Sequence, residues 1–340
     1  MKNKNINIKH IAKISGFGVS TVSRVINNHP DVSDKTRKKI LDIIEEYNYI
    51  PNNSARNLKR INTKNIGVLV KGIYNPFFSE IVQIIEKKLN DEGYSMIIHY
   101  KYDDIDDIGA AIEFIKEKRL KGLIYLGGDF NNDDVEQLNN IKTPIVITSP
   151  NIIRNDNKKT FSSVMIENEK AVYKAINHLT KLGHKDIGII TAEVKSQSIG
   201  ELRLEGYKRA LEHNDIEFND EFLEVGEFTF DSGYEAMNRL LDKDTDITAV
   251  FVSSDIMAIG ASKAILSRNL KIPEDISVIG FDGIEYSKYF HPSLTTIKQP
   301  KEKFANESIH ILLDLINKES EHKHLILETE LIKGESCRSI

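Results

Sequence analysis

Residues 8–27 read Ile-Lys-His-Ile-Ala-Lys-Ile-Ser-Gly-Phe-Gly-Val-Ser-Thr-Val-Ser-Arg-Val-Ile-Asn. Two short helical patterns meet here at a glycine turn. The first, over 8–15, carries Ile8, Ile11, Ala12 and Ile14 on one stripe, with Asn7 placed to cap it. Gly16-Phe17-Gly18 then turns the chain sharply, because glycine tolerates positive φ. The second, over 19–27, turns Val22, Val25 and Ile26 inward at i, i+3, i+4 and leaves Val19, Ser20, Thr21, Ser23 and Arg24 facing out. A third helix is predicted from Ser33, an N-cap residue, with Asp34 in the first turn where negative charge suits the helix dipole. Its pattern buries Ile40, Ile43, Ile44 and Tyr47 and exposes Lys35, Arg37, Lys38 and Lys39. Helix, glycine turn, helix is the helix-turn-helix pattern. Short polar side chains with one arginine suit the major groove, where arginine can bond guanine O6 and N7 together. A small three-helix bundle with a solvated polar face is the alternative reading.

Charge distribution favours a polyanion partner for this segment. Residues 1–62 hold 12 Lys and Arg against 5 Asp and Glu, a net of +7, whereas the whole chain of 340 residues is −5. A basic module therefore precedes an acidic body. The composition, 40% hydrophobic and 29% charged, is that of a water-soluble globular chain. No apolar run approaches bilayer length, and the N-terminus lacks an apolar export signal, so a cytoplasmic protein is expected. The single cysteine, Cys337, excludes a disulfide framework and a multi-thiolate metal site.

Residues 52–60, Asn-Asn-Ser-Ala-Arg-Asn-Leu-Lys-Arg, are too few to hold a helix alone and read as a flexible basic linker. From residue 65 onward strands alternate with helices. Strands are predicted at 66–70, 95–99, 122–126, 144–147, 186–190, 249–252 and 277–280. Helices are predicted at 77–90, 108–118, 133–139, 199–213, 231–241 and 256–267, the first with Phe78, Ile81, Ile85 and Leu89 on its stripe. Alternating βαβ units imply parallel sheets with helices on both faces, and two such series imply two subdomains. Ligands of such sheets sit beyond the carboxyl ends of the strands. Those ends carry residues 74–78, Ser149, residues 197–203, Asp255 and Asp282. Aromatic rings beside a few Asp, Asn and Arg side chains suit a sugar. The plainer alternatives are that Phe77 and Phe78 are core, Arg203 is a solvated helix residue and Asp255 an N-cap.

Several motifs together resemble the LacI/GalR family of bacterial transcription regulators. They are residues 8–12, Thr21-Val22-Ser23-Arg24-Val25, Val32-Ser33 with Thr36-Arg37, and Tyr49-Ile50-Pro51-Asn52. In the body they are residues 75–78, Leu182-Gly183-His184, Arg203 with Gly206-Tyr207, residues 255–260, 273–282 and 292–296. The resemblance implies an all-α helix-turn-helix headpiece over 1–50, a hinge helix over 51–62, and an α/β effector and dimerisation domain over 63–340. That domain would be two doubly wound parallel-sheet subdomains of the periplasmic-binding-protein type. The boundaries expected are 63–165 plus 293–320 for the first and 166–292 plus 321–340 for the second. The implied DNA contacts are Val19, Ser20, Thr21, Ser23, Arg24 and Asn27, with Asn52, Ala55, Arg56, Leu58 and Lys59 in the hinge. The implied effector site is Asn75, Phe77, Phe78, Ser149, Gln197, Arg203, Phe228, Asp255 and Asp282. Four positions depart from the family pattern. Gly18 replaces the usual serine N-cap, Glu167 stands for Asp, Gly283 follows Phe281-Asp282, and Phe304-Ala305 replaces Leu-Gly.

A homodimeric repressor of pseudo-palindromic operator DNA is therefore expected, controlled by a sugar or sugar phosphate. Purine- or nucleoside-responsive and phosphocarrier-dependent regulators of the same family are alternatives, as is a solute-binding protein with a basic tether. No catalytic residues, cofactor or metal site are expected. Nucleophile-elbow, Walker A and H-E-x-x-H motifs are absent, and His322-Lys323-His324 reads as a solvated loop. Eight residues after Ile332 are too few for a tetramerising coiled coil.

Overall fold

The computed structural model describes residues 6–49, 64–72, 74–101, 107–130, 137–138, 141–152, 160–195, 198–243 and 246–340. The chain divides into two compact units, 1–63 and 64–340.

The first unit holds α1 (Ile8–Ser15), α2 (Val19–Ile26) and α3 (Asp34–Glu46). Asn7 caps α1 by accepting from the amides of Lys9 at 3.0 Å and His10 at 3.2 Å. Gly16 ends it in the left-handed region at φ 77°. Ser33 caps α3, its hydroxyl accepting from the Thr36 amide at 3.4 Å. Ile11, Val22, Val25 and Ile40 are buried together, with Phe17, Ile43, Ile44 and Tyr49 packed around them. Two apolar residues expected in this core lie outside it: Ile14 is 45% and Tyr47 38% exposed. The reason at Tyr47 is that α3 stops one residue earlier. Asn48 then takes φ 45°, and Tyr49 reaches the core instead.

The second unit is built on two six-stranded sheets. Strands β1 Asn65–Lys71, β2 Ser95–Lys101, β3 Gly122–Leu126, β5 Ile145–Thr148, β7 Ser162–Ile166 and β13 His324–Leu327 form the first, in the order β13-β7-β5-β3-β1-β2. Strands β8 Ile187–Thr191, β9 Leu223–Val225, β10 Ala249–Val252, β11 Ser277–Asp282, β12 Thr295–Lys298 and β14 Glu330–Ile332 form the second, in the order β14-β12-β11-β10-β8-β9. All pairings are parallel except β12 with β14. Two-residue strands β4 (Asp129–Phe130) and β6 (Asn151–Ile152) pair separately. The sheets are the doubly wound parallel kind that the strand pattern predicts. Their buried strands are nearly continuous apolar runs, as Ile66–Val70 shows.

The subdomain boundaries need correction. The expected first subdomain includes residues 295–298, but β12 pairs with β11 in the second sheet. Conversely β13, expected in the second, pairs with β7 in the first. The chain thus crosses between lobes after residues 166, 298 and 327. Three further α-helices, over Asn168–Lys181, Tyr286–Tyr289 and Lys301–Asn317, add to those predicted. The helix over Pro76–Asp91 buries Phe77 rather than Phe78, because Pro76 opens it and Asn75 caps it. The predicted helix over 133–139 falls almost wholly outside the described residues. His324 lies in strand β13, not in a loop.

Candidate DNA-reading face and ligand cleft

Helix α2 presents its polar side outward. Val19 is 42% exposed. Ser20, Arg24 and Asn27 are also exposed, while Thr21 and Ser23 are half-buried. Gly18 caps the helix through backbone conformation alone, at φ −64° and ψ 150°, with no side-chain bond. This costs only a few tenths of a kcal/mol relative to a serine cap. The Arg24 guanidinium reaches the Asp31 carboxylate at 3.2 Å. The hinge positions Asn52, Ala55, Arg56, Leu58 and Lys59 lie outside the described residues.

Between the lobes of the second unit opens a cleft of about 640 Å³. That volume accommodates a small organic molecule. Its lining brings together Asn75, Phe77, Phe78, Ser149, Arg203, Phe228 and Asp282 from both lobes. Phe77 is 1% exposed and serves mainly as backing, edge-on to Phe78 at 5.1 Å and to Phe304 at 6.0 Å between centroids. Phe228 and Ser149 each hold φ 55°, a left-handed backbone at the cleft rim. Gly200, at the start of the helix over Ile199–His213, is required by crowding. A Cβ there would lie 2.5 Å from the Glu193 carbonyl oxygen, so the 192–195 segment could not lie against the helix. Gln197 lies outside the described residues.

The polar floor is a buried network. Asn75 caps its helix by accepting from the Phe77 amide at 3.0 Å, and its Nδ2 donates across the lobes to Asp282 Oδ2 at 2.8 Å. Gln299 Nε2 donates to Asp282 Oδ1 at 2.7 Å. The Arg203 guanidinium lies 3.9 Å over the Phe281 ring. Its Nε donates to Asn168 Oδ1 at 3.1 Å, and its Nη1 to the Ser253 carbonyl. Asp282 itself sits at φ 117°, outside the range most residues adopt. Burial pushes its carboxyl up to about 6, against the opposing pull of Arg203, Asn75, Gln299 and Lys301.

Asp255 does not line this cleft. It is fully buried at the start of the helix over Asp255–Ser267. Its Oδ1 accepts from the Thr296 hydroxyl at 2.6 Å and its Oδ2 from the Ile284 amide at 2.9 Å. It ties the segments that follow β10 and β11 to β12, and burial followed by the nearby Asp282 raises its pKa well above its ordinary value. Asp282 does line the cleft. Tyr74, read at a strand end, lines the cleft as well; residues the sequence reading missed there are Lys71, Glu193, Lys195, Glu227 and Gln299. The strand-end rule would have found Gln299, one residue beyond β12, had 295–298 been read as a strand.

The raised pKa of Asp282 has a consequence for stability. Its folded value exceeds its ordinary value, so the folded state binds the proton more tightly. Its contribution is complete below about pH 4 and is lost as pH rises through about 6. The melting temperature of the ligand-free parent relative to that of Asp282→Asn should therefore rise as pH falls from 7.5 to 5.5. The amide introduced by that substitution can still pair with Gln299 if the Gln299 side chain turns over, because Gln299 Oε1 is buried without a partner.

A helix-turn-helix unit joined to a two-lobed α/β body with a central cleft defines a DNA-binding regulator with a small-molecule site. Comparison with known proteins agrees. Residues 7–52 match the model of bacterial regulatory proteins, lacI family, and residues 176–337 that of a periplasmic binding protein-like domain. The HTH-type transcriptional regulator MalR of Clostridium butyricum is 51% identical over 337 residues, covering 98% of this chain and 100% of its own. The lac repressor dimer bound to operator and the anti-inducer ONPF superposes with a TM-score of 0.76 at 28% identity, covering 99% of this chain and 100% of that one. The complex of transcriptional regulator CelR with cellobiose superposes at 0.72 and 28% identity, covering 97% and 99%. The chain belongs to the lacI family of bacterial transcription regulators, and it is a DNA-binding transcription regulator.

Proposed function

We propose that this regulator is a homodimeric repressor whose operator affinity is controlled by a neutral saccharide held in the interlobe cleft. The observation that carries the reading is that Asn75, Asp282, Gln299 and Arg203 line one cleft with the rings of Tyr74, Phe78 and Phe228. Polar groups bond sugar hydroxyls while rings cover its CH faces. Cations and anions balance around the cleft: Lys71, Lys195 and Arg203 against Glu193, Glu227 and Asp282. Lys195 already pairs with Glu193 at 2.7 Å. This balance suits a neutral sugar better than a sugar phosphate. The complex of CelR with cellobiose supports a saccharide ligand.

In this reading residues 1–50 bind DNA, 51–62 form the hinge, and 63–340 bind the effector and dimerise. The protein carries no catalytic activity and works in the cytoplasm; among the described residues no helix is long and apolar enough to cross a membrane. Lobe closure on the sugar shifts the two hinges of the dimer and so changes their pairing on DNA, a coupling that is reciprocal. A thermal-shift screen of maltose, cellobiose, monosaccharides, sugar phosphates and purines tests the cleft, since a ligand of the folded state raises the midpoint. A shift with sugar phosphates or purines alone contradicts the reading.

The hinge carries its own expectation. Leu58 from each protomer wedges into the minor groove at the operator's centre, and the unstacking cost of a few kcal/mol is offset by contacts that the bend allows. Leu58→Ala should lose most of the DNA bend, measured by energy transfer between labelled DNA ends, and much of the specific affinity. Equal bending by variant and parent would reduce the hinge to a tether.

A further inference from the structure

We infer that Asp31 is a specificity-determining residue of the headpiece: it holds the Arg24 guanidinium by one nitrogen and its charge penalises contact with any DNA that offers Arg24 only phosphate. The inference rests on the reading of Arg24 as the base-contacting arginine.

The geometry is specific to one edge of the guanidinium. Arg24, in the last turn of α2, meets Asp31 Oδ2 through Nη1 at 3.2 Å. Bidentate bonding to a guanine uses two N–H groups on one edge of the fork. With Nη1 engaged by Asp31, the Nε–Nη2 edge remains for the base. The other carboxylate oxygen of Asp31 is occupied too, 2.6 Å from His29 Nδ1.

The segment that carries Asp31 is itself fixed. Arg37 on α3 donates to Asn28 Oδ1 and to the His29 carbonyl, both at 2.6 Å. Asn28 turns the chain with φ 52°, and Asn27 Nδ2 donates back to the Ser23 carbonyl at 2.7 Å. Asp31 is therefore set beside α2 by backbone and side-chain bonds rather than by its pairing with Arg24 alone. Of the five acidic residues in the headpiece and hinge, Asp34, Asp42, Glu45 and Glu46 all belong to α3. Asp31 is the acid that stands against the reading helix.

Two effects follow, and both raise discrimination. Pre-orienting Arg24 lowers the ordering cost of the guanine contact. On other DNA, an extra negative charge next to the interface opposes phosphate binding, the sequence-independent part of affinity. Both side chains are about half exposed, 58% for Arg24 and 46% for Asp31, so the effect is that of a surface pair. Such pairs are worth about 0.2–1 kcal/mol, roughly 1.4- to fivefold.

The test uses the full-length protein and a duplex selected by it from a random pool, with a scrambled duplex of equal length as reference. Affinities are measured for the parent, Asp31→Asn, Asp31→Glu, Arg24→Ala and the double variant Asp31→Asn/Arg24→Ala. Each is also profiled against single base-pair changes across the selected site. Asp31→Asn should bind the scrambled duplex more tightly and lower the specific-to-scrambled ratio about 1.4- to fivefold. It should flatten base preference at the position that Arg24→Ala flattens, and not elsewhere. Asp31→Glu should recover part of the ratio, and Asp31→Asn should add nothing to Arg24→Ala at that position. If Arg24→Ala flattens a position and Asp31→Asn leaves both ratio and profile unchanged, the inference is overturned while the reading of Arg24 stands. If Arg24→Ala flattens no position, the reading of Arg24 fails and the inference fails with it.

Discussion

Arg203→Ala is expected to abolish the saccharide-induced thermal shift and to lower the melting temperature of the ligand-free protein. Arg203 is 5% exposed and its guanidinium lies over the Phe281 ring, so its removal opens a gap in the cleft floor. It also leaves Asn168 Oδ1 and the Ser253 carbonyl without this donor. Each buried acceptor so abandoned costs about 1–3 kcal/mol. The loss of a nearby cation further disfavours ionised Asp282, whose carboxyl Arg203 otherwise holds down. Arg203→Lys separates the two roles. It restores charge near Asp282 but not the planar fork, so stability should recover in part while the ligand shift stays absent. A parent-like ligand shift in both variants would move the effector site away from this floor.

Arg24→Ala is expected to lower affinity for the selected operator by about 1–3 kcal/mol in each half-site, the worth of one bidentate pairing to a base. Binding to scrambled DNA should change far less, because phosphate contacts from the other lysines and arginines remain. The motive is the placement of Arg24 on the exposed side of α2, opposite the buried Val22 and Val25. Competition gel shifts with specific and scrambled duplexes check the result. A ratio equal to that of the parent would mean that α2 docks without reading bases through this side chain.

The headpiece was legible because its information is local. Asn7, Gly16 and Ser33 mark helix ends by their own chemistry, and Val22 and Val25 fall at helical spacing. Tyr47 misled because where a helix stops decides which tyrosine turns inward, and that depends on the single left-handed residue Asn48. In the body, strands such as 66–70 were plain from apolar runs. The strand Thr295–Lys298 was not, since Thr-Thr-Ile-Lys lacks such a run and is buried through its place in the sheet. Missing it hid Gln299 and misassigned the crossovers. The two aspartates illustrate a harder limit. Asp255 and Asp282 both follow strands, and nothing in their neighbours' identity says which faces the cleft. The choice is made in three dimensions. Gly280 leaves room for the Asp255 carboxylate, which a Cβ there would approach to 2.3 Å, while Asp282 turns at φ 117° to meet Asn75 of the opposite lobe.

Saccharide binding in the cleft is expected to change operator affinity at the headpiece. It is tested most directly by titrating the selected operator duplex with full-length protein in the absence and presence of saturating saccharide, maltose and cellobiose being the first probes. Fluorescence anisotropy at fixed salt reads the dissociation constant for the parent and for Arg203→Lys. Operator affinity should change at least about fivefold with saccharide for the parent, as expected for coupling of about 1–3 kcal/mol, and not at all for Arg203→Lys. A saccharide that raises the melting temperature of the parent yet leaves its operator affinity unchanged would contradict it.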